Sequence, residues 1–300
     1  MKNSSSFQKD ILRQYYEDRF LVRYGQNQDH DEHQNNWSKS LYAEYLADSH
    51  QKNILDSLTG GSICLDIGCG EGNQIRLLRP YFNCTIGTDL SFTALSMASE
   101  RYNGRLPNKS KTMFLQADGF RQPFKSESFD FILCSEVVEH ILPEESPLLL
   151  KEIGRLLKKN GRCLITTPNR WEYRRRFFDL PIYLLAAMTG NNLNFIKSKL
   201  FRSYLKLSGA SCTTLNAMEK HEFTEHINIL SPKELEAQIK AAGLTVAQYD
   251  VQYLYPPILG PFHKSLFLVK TIKRIERYLK NSKFRFYLFG GLVFLCSKSA

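Results

Sequence analysis

The chain has 300 residues, of which 43% are hydrophobic and 23% charged, as expected of a globular protein with one large α/β domain and some additions. The first ten residues are polar and lack the pattern of a signal peptide. The longest apolar runs, at about 180–188 and 286–296, are shorter than the roughly 20 residues that a membrane-spanning helix needs. Composition therefore argues against a secreted or membrane-spanning protein.

The formal net charge of +10 is unevenly distributed. Residues 170–206 contain eight Lys or Arg against two acidic residues, and residues 264–285 contain eight against one. These two segments together carry +13, while the rest of the chain is about −3. The basic character therefore belongs to two segments and not to the chain as a whole.

Cysteine usage indicates a reducing compartment. The chain has seven cysteines, an odd number, and most lie in apolar segments: Cys64, Cys84, Cys134, Cys163 and Cys296. Cysteines of this kind are typical of buried reduced thiols, and their spacing to histidines does not indicate a structural zinc site. We therefore expect a cytoplasmic protein, either free or peripheral at the inner face of a membrane.

The first region along the chain, residues 1–58, is predicted to be a helical lead-in. Apolar periodicity favours helices within 7–21 and 40–58, on either side of a polar stretch at 26–36. The second helix leads directly into the first predicted strand.

Residues 59–169 are predicted to form the core of an α/β domain, because apolar strands alternate there with helical segments. The predicted strands are 63–67, 84–88, 112–116, 129–134 and 161–166, and the predicted helices lie near 73–80, 91–101 and 144–158. This alternation is typical of a parallel sheet with helices on both faces.

The rest of the chain is predicted to alternate between inserts and core. Residues 170–222 are a basic and apolar insert, and residues 223–252 continue the core with a helix that starts at Ser231 and a strand at 244–252. Residues 253–289 form a second insert, and residues 290–300 contain the final core strand.

The most informative motif is the strand-to-helix turn at residues 63–72. Asp66 lies at the end of the strand, and glycines follow at positions 68, 70 and 72. Glycines allow a sharp turn and the close approach of a ligand. Asp89 ends the next strand, at the spacing from which an acidic residue reaches the ribose of an adenosine-containing cofactor. The turn alone is a weak signal, and the two acidic residues in this register strengthen it.

These residues resemble the class I S-adenosylmethionine (SAM)-dependent methyltransferases of types 11, 12 and 23, including the O-methyltransferases of ubiquinone synthesis. The similarity follows the order of motifs at residues 66–72, 87–91, 117–130, 136–140 and 161–169. It implies a Rossmann-like sheet of seven strands with the last strand antiparallel. In such a sheet both inserts leave from the cofactor edge, so they would form a helical cap over the acceptor pocket.

The resemblance also implies where the cofactor binds. Asp66, Gly68 and Gly70 would hold its amino-acid end, with backbone N–H groups of the turn at the carboxylate. Asp89 would bind the ribose hydroxyls, and Leu90 would pack on the adenine.

Four further residues complete the implied SAM site. Asp118 would accept a hydrogen bond from the adenine amino group, with the Gly119 amide beside it. Ser135 and Glu136 end the fourth strand and would lie below the transferred methyl group.

Catalysis is assigned to the Glu-x-x-Glu-His motif, with His140 as a general base held by Glu139. If residues 136–140 form a helical turn, the side chains of Glu136, Glu139 and His140 share one face. Together with His226 they resemble the Mg²⁺ or Mn²⁺ site of small-RNA 2′-O-methyltransferases. The alternative to a metal site is the general-base arrangement without a metal, because many relatives with Glu-His at this position have no established metal.

The acceptor atom is predicted to be oxygen, because no Asn-Pro-Pro-Tyr-type sequence follows the fourth strand. The expected reaction is O-methylation of a hydroxyl on a small or lipid-linked metabolite, such as a quinone precursor, a glycolipid or a sugar. The alternatives are a small-RNA 2′-O-methyltransferase-like enzyme and a non-catalytic SAM-binding scaffold.

The two basic inserts leave the choice of partner open. Residues 266–279 place apolar side chains at 268, 272, 275 and 279, with Lys270, Lys273, Arg274 and Arg277 on the other face. This pattern is typical of a helix at an anionic membrane surface, and equally of a cap whose charges lie in solvent. The segments lack an evident base-stacking platform, which argues against nucleic acid.

Overall fold

The computed structural model of the protein describes residues 50–102, 110–170, 226–252, 266–279, 282 and 289–298. The predicted lead-in before residue 50, most of the insert at 170–222 and residues 253–265 of the second insert lie outside these ranges. Within them, helices and strands alternate as the sequence predicts.

Seven strands form one sheet. Their bounds are β1 Gly61–Ile67, β2 Phe82–Asp89, β3 Lys111–Gln116, β4 Phe129–Ser135, β5 Leu157–Pro168, β6 Leu244–Val251 and β7 Gly291–Lys298. The helices are a segment at residues 50–57, α1 Ile75–Leu78, α2 Phe92–Tyr102, the 3₁₀ helix Val138–His140, α3 Ser146–Leu156, α4 Pro232–Ala241 and α5 Leu266–Leu279.

The strand order is β3-β2-β1-β4-β5-β7-β6. Strands β1 to β5 pair in parallel, and β7 lies antiparallel between β5 and β6. This confirms the predicted Rossmann-like methyltransferase sheet with an antiparallel last strand. The order reverses between β1 and β4, so their carboxyl ends flank the crevice where such sheets bind ligands.

Both faces of the sheet are covered, which explains the nearly continuous apolar character of the central strands. Leu65 of β1 packs in one cluster with Leu149 of α3 and Leu235 of α4. The next residue back, Cys64, points to the opposite face, where its cluster includes Ile54 of the 50–57 segment. Neighbouring side chains of β1 therefore alternate between the two faces of the sheet.

Local sequence signals set several element boundaries. The Ser231 hydroxyl accepts a hydrogen bond from the Glu234 N–H, and the Glu234 carboxylate accepts one from the Ser231 N–H, which completes the capping box of α4.

Two helices are shorter than predicted. Helix α1 spans only four residues, and α3 ends at Leu156, where β5 begins earlier than expected. The short segment 157–160 contains Lys-Lys-Asn, a pattern that the apolar criterion did not assign to a strand.

The described cysteines agree with the prediction of reduced thiols. Six of them are free, and five of these are buried: Cys64, Cys69, Cys134, Cys163 and Cys296. No helix within the described ranges has the length and apolar character that crossing a membrane requires.

Candidate active site at the carboxyl ends of the strands

The glycine turn after β1 is shaped by close packing. Gly68 has a φ of 72°, and a Cβ at this position would lie 2.5 Å from Cγ2 of Val137. Gly87 of β2 is equally constrained, because a Cβ there would lie 2.7 Å from Sγ of Cys69. The glycines therefore allow the β1 turn to pack against β2 on one side and against the segment that follows β4 on the other.

The backbone N–H groups of this turn bind within the protein. The N–H groups of Gly68 and Cys69 both donate to the Thr88 carbonyl, at 2.8 and 3.0 Å. The Gly70 N–H donates to Oδ2 of Asp89 at 2.8 Å. These bonds hold the ends of β1 and β2 together. A role of the turn's N–H groups at the carboxylate of the cofactor stays a prediction.

Asp66 lies at the carboxyl end of β1 and is 2% exposed. Its Oδ2 atom is buried and has no hydrogen-bond partner among the residues that the structure describes. Burial, with a smaller contribution from the nearby Asp89 carboxylate, raises its pKa from 3.8 to about 8. A buried carboxyl oxygen of this kind can accept a polar group of a ligand. The role of Asp66 at the amino-acid end of SAM stays a prediction.

Asp89 is fixed in place at the end of β2. Besides the bond from Gly70, its Oδ1 accepts a hydrogen bond from the Ser91 N–H at 2.9 Å. The next residue, Leu90, has an exposed apolar side chain. Its backbone carbonyl accepts a hydrogen bond from Gln116 Nε2. Asp89 is therefore an oriented carboxylate beside an exposed apolar side chain, and the ribose and adenine contacts stay predictions.

Asp118 and Gly119 lie in a turn beyond β3, which ends at Gln116. The Asp118 Oδ1 accepts a hydrogen bond from the Phe120 N–H at 3.0 Å, and Asp118 forms an isolated bridge with Arg121. The turn places both residues at the same edge of the sheet as Asp89, since the Ala117 N–H donates to the Asp89 carbonyl.

Residues 136–140 do not form one continuous helical turn, which was the condition for Glu136, Glu139 and His140 to share a face. Glu136 has a φ of 57°, in the left-handed region, and the 3₁₀ helix begins at Val138. The Glu136 side chain is exposed, and its Oε1 accepts a hydrogen bond from Thr166 Oγ1 at 2.9 Å. Glu136 therefore does not share a helical face with Glu139 and His140.

Glu139 is completely buried beneath this edge of the sheet. Its Oε2 accepts a hydrogen bond from Thr167 Oγ1 at 2.9 Å. Within the described part of the chain Oε1 has no hydrogen-bond partner, and it lies 3.8 Å from Nε2 of His140. Burial, followed by the neighbouring Glu136 carboxylate, raises the pKa of Glu139 well above its usual range.

His226 reaches this cluster although it lies 86 positions after His140 in the chain. The N–H groups of Ile227 and Asn228 both donate to the Glu139 carbonyl, at 2.9 and 3.1 Å. The two imidazole rings lie edge to face with their centroids 4.9 Å apart. One ligand atom each from Glu139, His140 and His226 lies within 4.8 Å of the others, and Glu136 is outside this group.

Four residues of the site were missed in the sequence. His50 Nε2 lies 3.1 Å from Ser135 Oγ, and Thr166 Oγ1 lies 2.9 Å from the same atom. Thr167 and Gln252 contact Glu139 and Glu136. The threonines and Gln252 lie at or just after strand ends, a position that could have identified them, whereas His50 carries no local signal.

The chain matches the methyltransferase-domain family over residues 38–249, which is more than half of its length. It is 33% identical over 139 residues to a malonyl-[acyl-carrier protein] O-methyltransferase of Marinomonas sp. (strain MWYL1), covering 43% of this chain and 47% of that protein. It is 32% identical over 113 residues to a tRNA (carboxymethyluridine(34)-5-O)-methyltransferase of Xenopus tropicalis, covering 37% of this chain and 16% of that protein. The chain thus spans about half or less of the length of these relatives.

Solved structures share the fold at low sequence identity. The magnesium protoporphyrin IX methyltransferase of Synechocystis PCC 6803, solved with bound SAH, has a TM-score of 0.55 at 13% identity and covers 97% of this chain and 100% of that chain. The geranyl diphosphate C-methyltransferase of Streptomyces coelicolor A3(2) has a TM-score of 0.50 at 13% identity, over 84% of this chain and 79% of that chain. Sheet order, family match and relatives agree: this chain belongs to the class I SAM-dependent methyltransferases.

Proposed function

We propose that the protein transfers the methyl group of SAM to a hydroxyl oxygen of a small or lipid-linked metabolite. The observation that carries this proposal is the position of His140. Its ring lies at the carboxyl end of β4, beside the switch point of the sheet, with His226 in edge-to-face contact and the buried Glu139 next to it. An imidazole in this position can take the proton that a hydroxyl loses on methylation.

The cofactor edge suits SAM. The buried Oδ2 of Asp66 offers an unpartnered polar atom, Asp89 presents an oriented carboxylate, and Leu90 presents an apolar surface. When bound, SAM would supply an electrophilic sulfonium methyl group. The residues of this chain then need only to orient the acceptor and remove its proton.

A second version of the site uses a metal held by Glu139, His140 and His226. The buried Glu139 Oε1 without a partner and the two adjacent imidazoles fit a divalent ion. Two nitrogen donors and one carboxylate suit Mn²⁺ better than Mg²⁺, which prefers oxygen ligands. Such an ion would lower the pKa of an acceptor hydroxyl.

The test uses purified protein, SAM labelled in its methyl group, and extracts of the cells in which the protein occurs. We expect label in a small or lipid-linked product that survives alkaline treatment, because methyl ethers are stable to base and methyl esters are not. Nuclease treatment distinguishes this result from methylation of an RNA ribose. If RNA were the acceptor, nuclease would degrade it and the label would no longer be found in a polymer. Absence of any labelled product would favour a SAM-binding scaffold.

The same assay separates the two versions of the site. For the general-base version, His140→Ala should lose activity while chelator has no effect. For the metal version, chelator should abolish activity, Mn²⁺ should restore it, and His226→Ala should weaken metal binding measured by calorimetry.

We further infer that α5 contacts an anionic membrane surface that delivers the acceptor. Lys270, Arg274 and Arg277 are exposed, and the same helix exposes Ile275 at 44% and Tyr278 at 81%. Basic and apolar side chains exposed on one helix suit the interface of an anionic bilayer, where each basic residue contributes about 1 kcal/mol.

Vesicle sedimentation tests this inference. The protein should sediment with vesicles that contain acidic lipid, less so at high salt, and weakly with neutral vesicles. Changing Lys270, Arg274 and Arg277 to Gln should weaken binding. A charge-matched control with Arg121, Lys125 and Lys159 changed to Gln, three exposed residues outside α5, should bind as the wild type does. Equal loss in both variants would indicate a general charge effect and contradict a role for α5.

A further inference from the structure

Glu136 has an unusual backbone. Its φ of 57° places it in the left-handed region, and the only other non-glycine residue with positive φ in the described ranges is Glu127. This conformation is costly for a residue with a side chain and persists where surrounding contacts impose it. Here the Glu136 N–H donates to the Thr166 carbonyl at 2.9 Å, so β5 holds the residue as it leaves β4.

The side chain is fixed as well as the backbone. Oε1 accepts hydrogen bonds from Thr166 Oγ1 at 2.9 Å and from Gln252 Nε2 at 3.4 Å. Gln252 is 3% exposed, and a Cβ on Gly291 would lie 2.5 Å from its side chain, so β7 makes room for it. Thr166 of β5 and Gln252, which directly follows β6, thus both donate to one oxygen of a carboxylate that is itself exposed.

A chain of hydrogen bonds extends this support to His50. Thr166 uses its only hydroxyl proton on Glu136, so Ser135 must donate to Thr166 across their 2.9 Å contact. Ser135 then accepts from His50 Nε2 at 3.1 Å, which assigns the proton to that ring nitrogen. Every donor in this chain is directed towards Glu136, and none of these protons remains for a substrate.

The carboxylate therefore has the chemistry of a hydrogen-bond acceptor for a ligand. Glu136 is exposed and directly follows the carboxyl end of β4, the edge of the sheet at which the acceptor would lie under the proposed function. A hydroxyl can donate to it, whereas an acceptor carboxylate would meet a like charge. The names of both relatives described above specify carboxyl-bearing groups, malonyl and carboxymethyl.

We propose that Glu136 is an acceptor-binding residue that selects a hydroxyl-bearing acceptor over a carboxylate-bearing one. The proposal rests on the proposed function, and it adds the group that the enzyme recognises. Thr166, Gln252 and the Ser135–His50 pair act as positioning residues that hold the carboxylate in its bound orientation.

Ligand-observed NMR on the SAH complex tests the proposal without relying on turnover. The probes are three hydroxyl compounds (catechol, phenol and glycerol) and malonate, each measured with the wild type and with Glu136→Gln. The Gln side chain keeps the Oε1 acceptor to which Thr166 and Gln252 donate. It replaces the second carboxylate oxygen by an NH₂ group, which donates hydrogen bonds and cannot accept one from a hydroxyl. We expect at least one hydroxyl probe to bind the wild type more tightly than malonate does. Its affinity should fall by about tenfold or more in Glu136→Gln, the loss typical of a charge-assisted hydrogen bond.

A second variant, Thr166→Val, keeps the charge of Glu136 and removes the donor that orients it. We expect a smaller loss of hydroxyl-probe affinity in this variant, with the thermal unfolding midpoint close to wild type in both variants. SAH affinity is measured alongside, because the family resemblance also assigns Glu136 to the SAM site. The proposal is overturned if no hydroxyl probe binds, if malonate binds as tightly, or if Glu136→Gln leaves probe affinity unchanged. A loss of SAH affinity in Glu136→Gln would also overturn it, because Glu136 would then be a cofactor residue.

The labelled-methyl assay keeps the two proposals apart. Glu136-dependent binding of a hydroxyl probe, with no transfer to any extract component, would contradict the proposed function and leave the binding role intact. Transfer that yields only base-labile methyl esters would contradict the selection of a hydroxyl acceptor.

Discussion

Replacement of Asp66 by Asn should make the protein more stable at neutral pH, and the gain should grow as pH rises. The Asp66 carboxyl group has a pKa of about 8 in the folded protein and 3.8 as its ordinary value, because folding buries it. Between these two values the unfolded chain is ionised while the folded protein holds a proton. Folding must therefore take up a proton in this range, and stability falls as pH rises through it.

The magnitude follows from the gap between the two pKa values. Each pH unit in the window is worth about 1.4 kcal/mol, so Asp66 costs up to about 4 kcal/mol at pH 7 relative to a neutral side chain. Asn has nearly the same shape and no charge. The difference in unfolding free energy between Asp66→Asn and wild type should thus increase by about 1.4 kcal/mol per pH unit between pH 5 and 7.5.

Urea denaturation without cofactor, measured at several pH values for both proteins, provides the assay. Asp130→Asn is a control of opposite sign. Partial burial alone would raise the Asp130 pKa, but hydrogen bonds from Lys158 and the Ile63 N–H lower it overall. That variant should be less stable than wild type at neutral pH, and the difference should vanish as pH falls below about 4. A stability difference for Asp66→Asn that does not change with pH would refute the reasoning.

Cofactor binding gives a second readout of the same group. If Asp66 contacts the amino-acid end of SAH, its positively charged ammonium favours the ionised carboxylate. Wild-type affinity for SAH should then increase between pH 6 and 8, and Asp66→Asn should lose this dependence.

Three further changes test the cofactor edge and the fold. Asp89→Ala should weaken SAH binding by about ten- to hundredfold in calorimetry, because two ribose hydroxyls would lose a charged acceptor worth about 1.5–3 kcal/mol. An unchanged dissociation constant would contradict the assignment of Asp89 to the ribose. Gly68→Ala should lower the thermal unfolding midpoint, because Gly68 has a φ of 72° and the new Cβ would lie 2.5 Å from Val137. Gly243 also has a positive φ, but a Cβ there would meet no atom within 4 Å. Gly243→Ala therefore measures the backbone strain without the clash. Ser231→Ala should cost about 0.5–2 kcal/mol in denaturation experiments, with SAH affinity unchanged, because it removes the N-cap of α4.

The sequence by itself determined the sheet and most of the cofactor edge. Strands with apolar faces on both sides, the glycine turn after β1, and Asp66 and Asp89 at two strand ends are local patterns, so each can be recognised within a few residues. The capping box at Ser231 is another local signal, and the structure contains it as predicted. The antiparallel last strand followed from the family resemblance that these motifs carry.

Only the tertiary structure decided the acceptor side of the site. The left-handed conformation of Glu136 depends on its bonds to Thr166 of β5, and no pattern within residues 136–140 distinguishes it from the first residue of a helix. His226 reaches His140 because Ile227 and Asn228 bind the Glu139 carbonyl. These contacts join segments far apart in the chain, and their formation depends on the sheet order and not on local propensity.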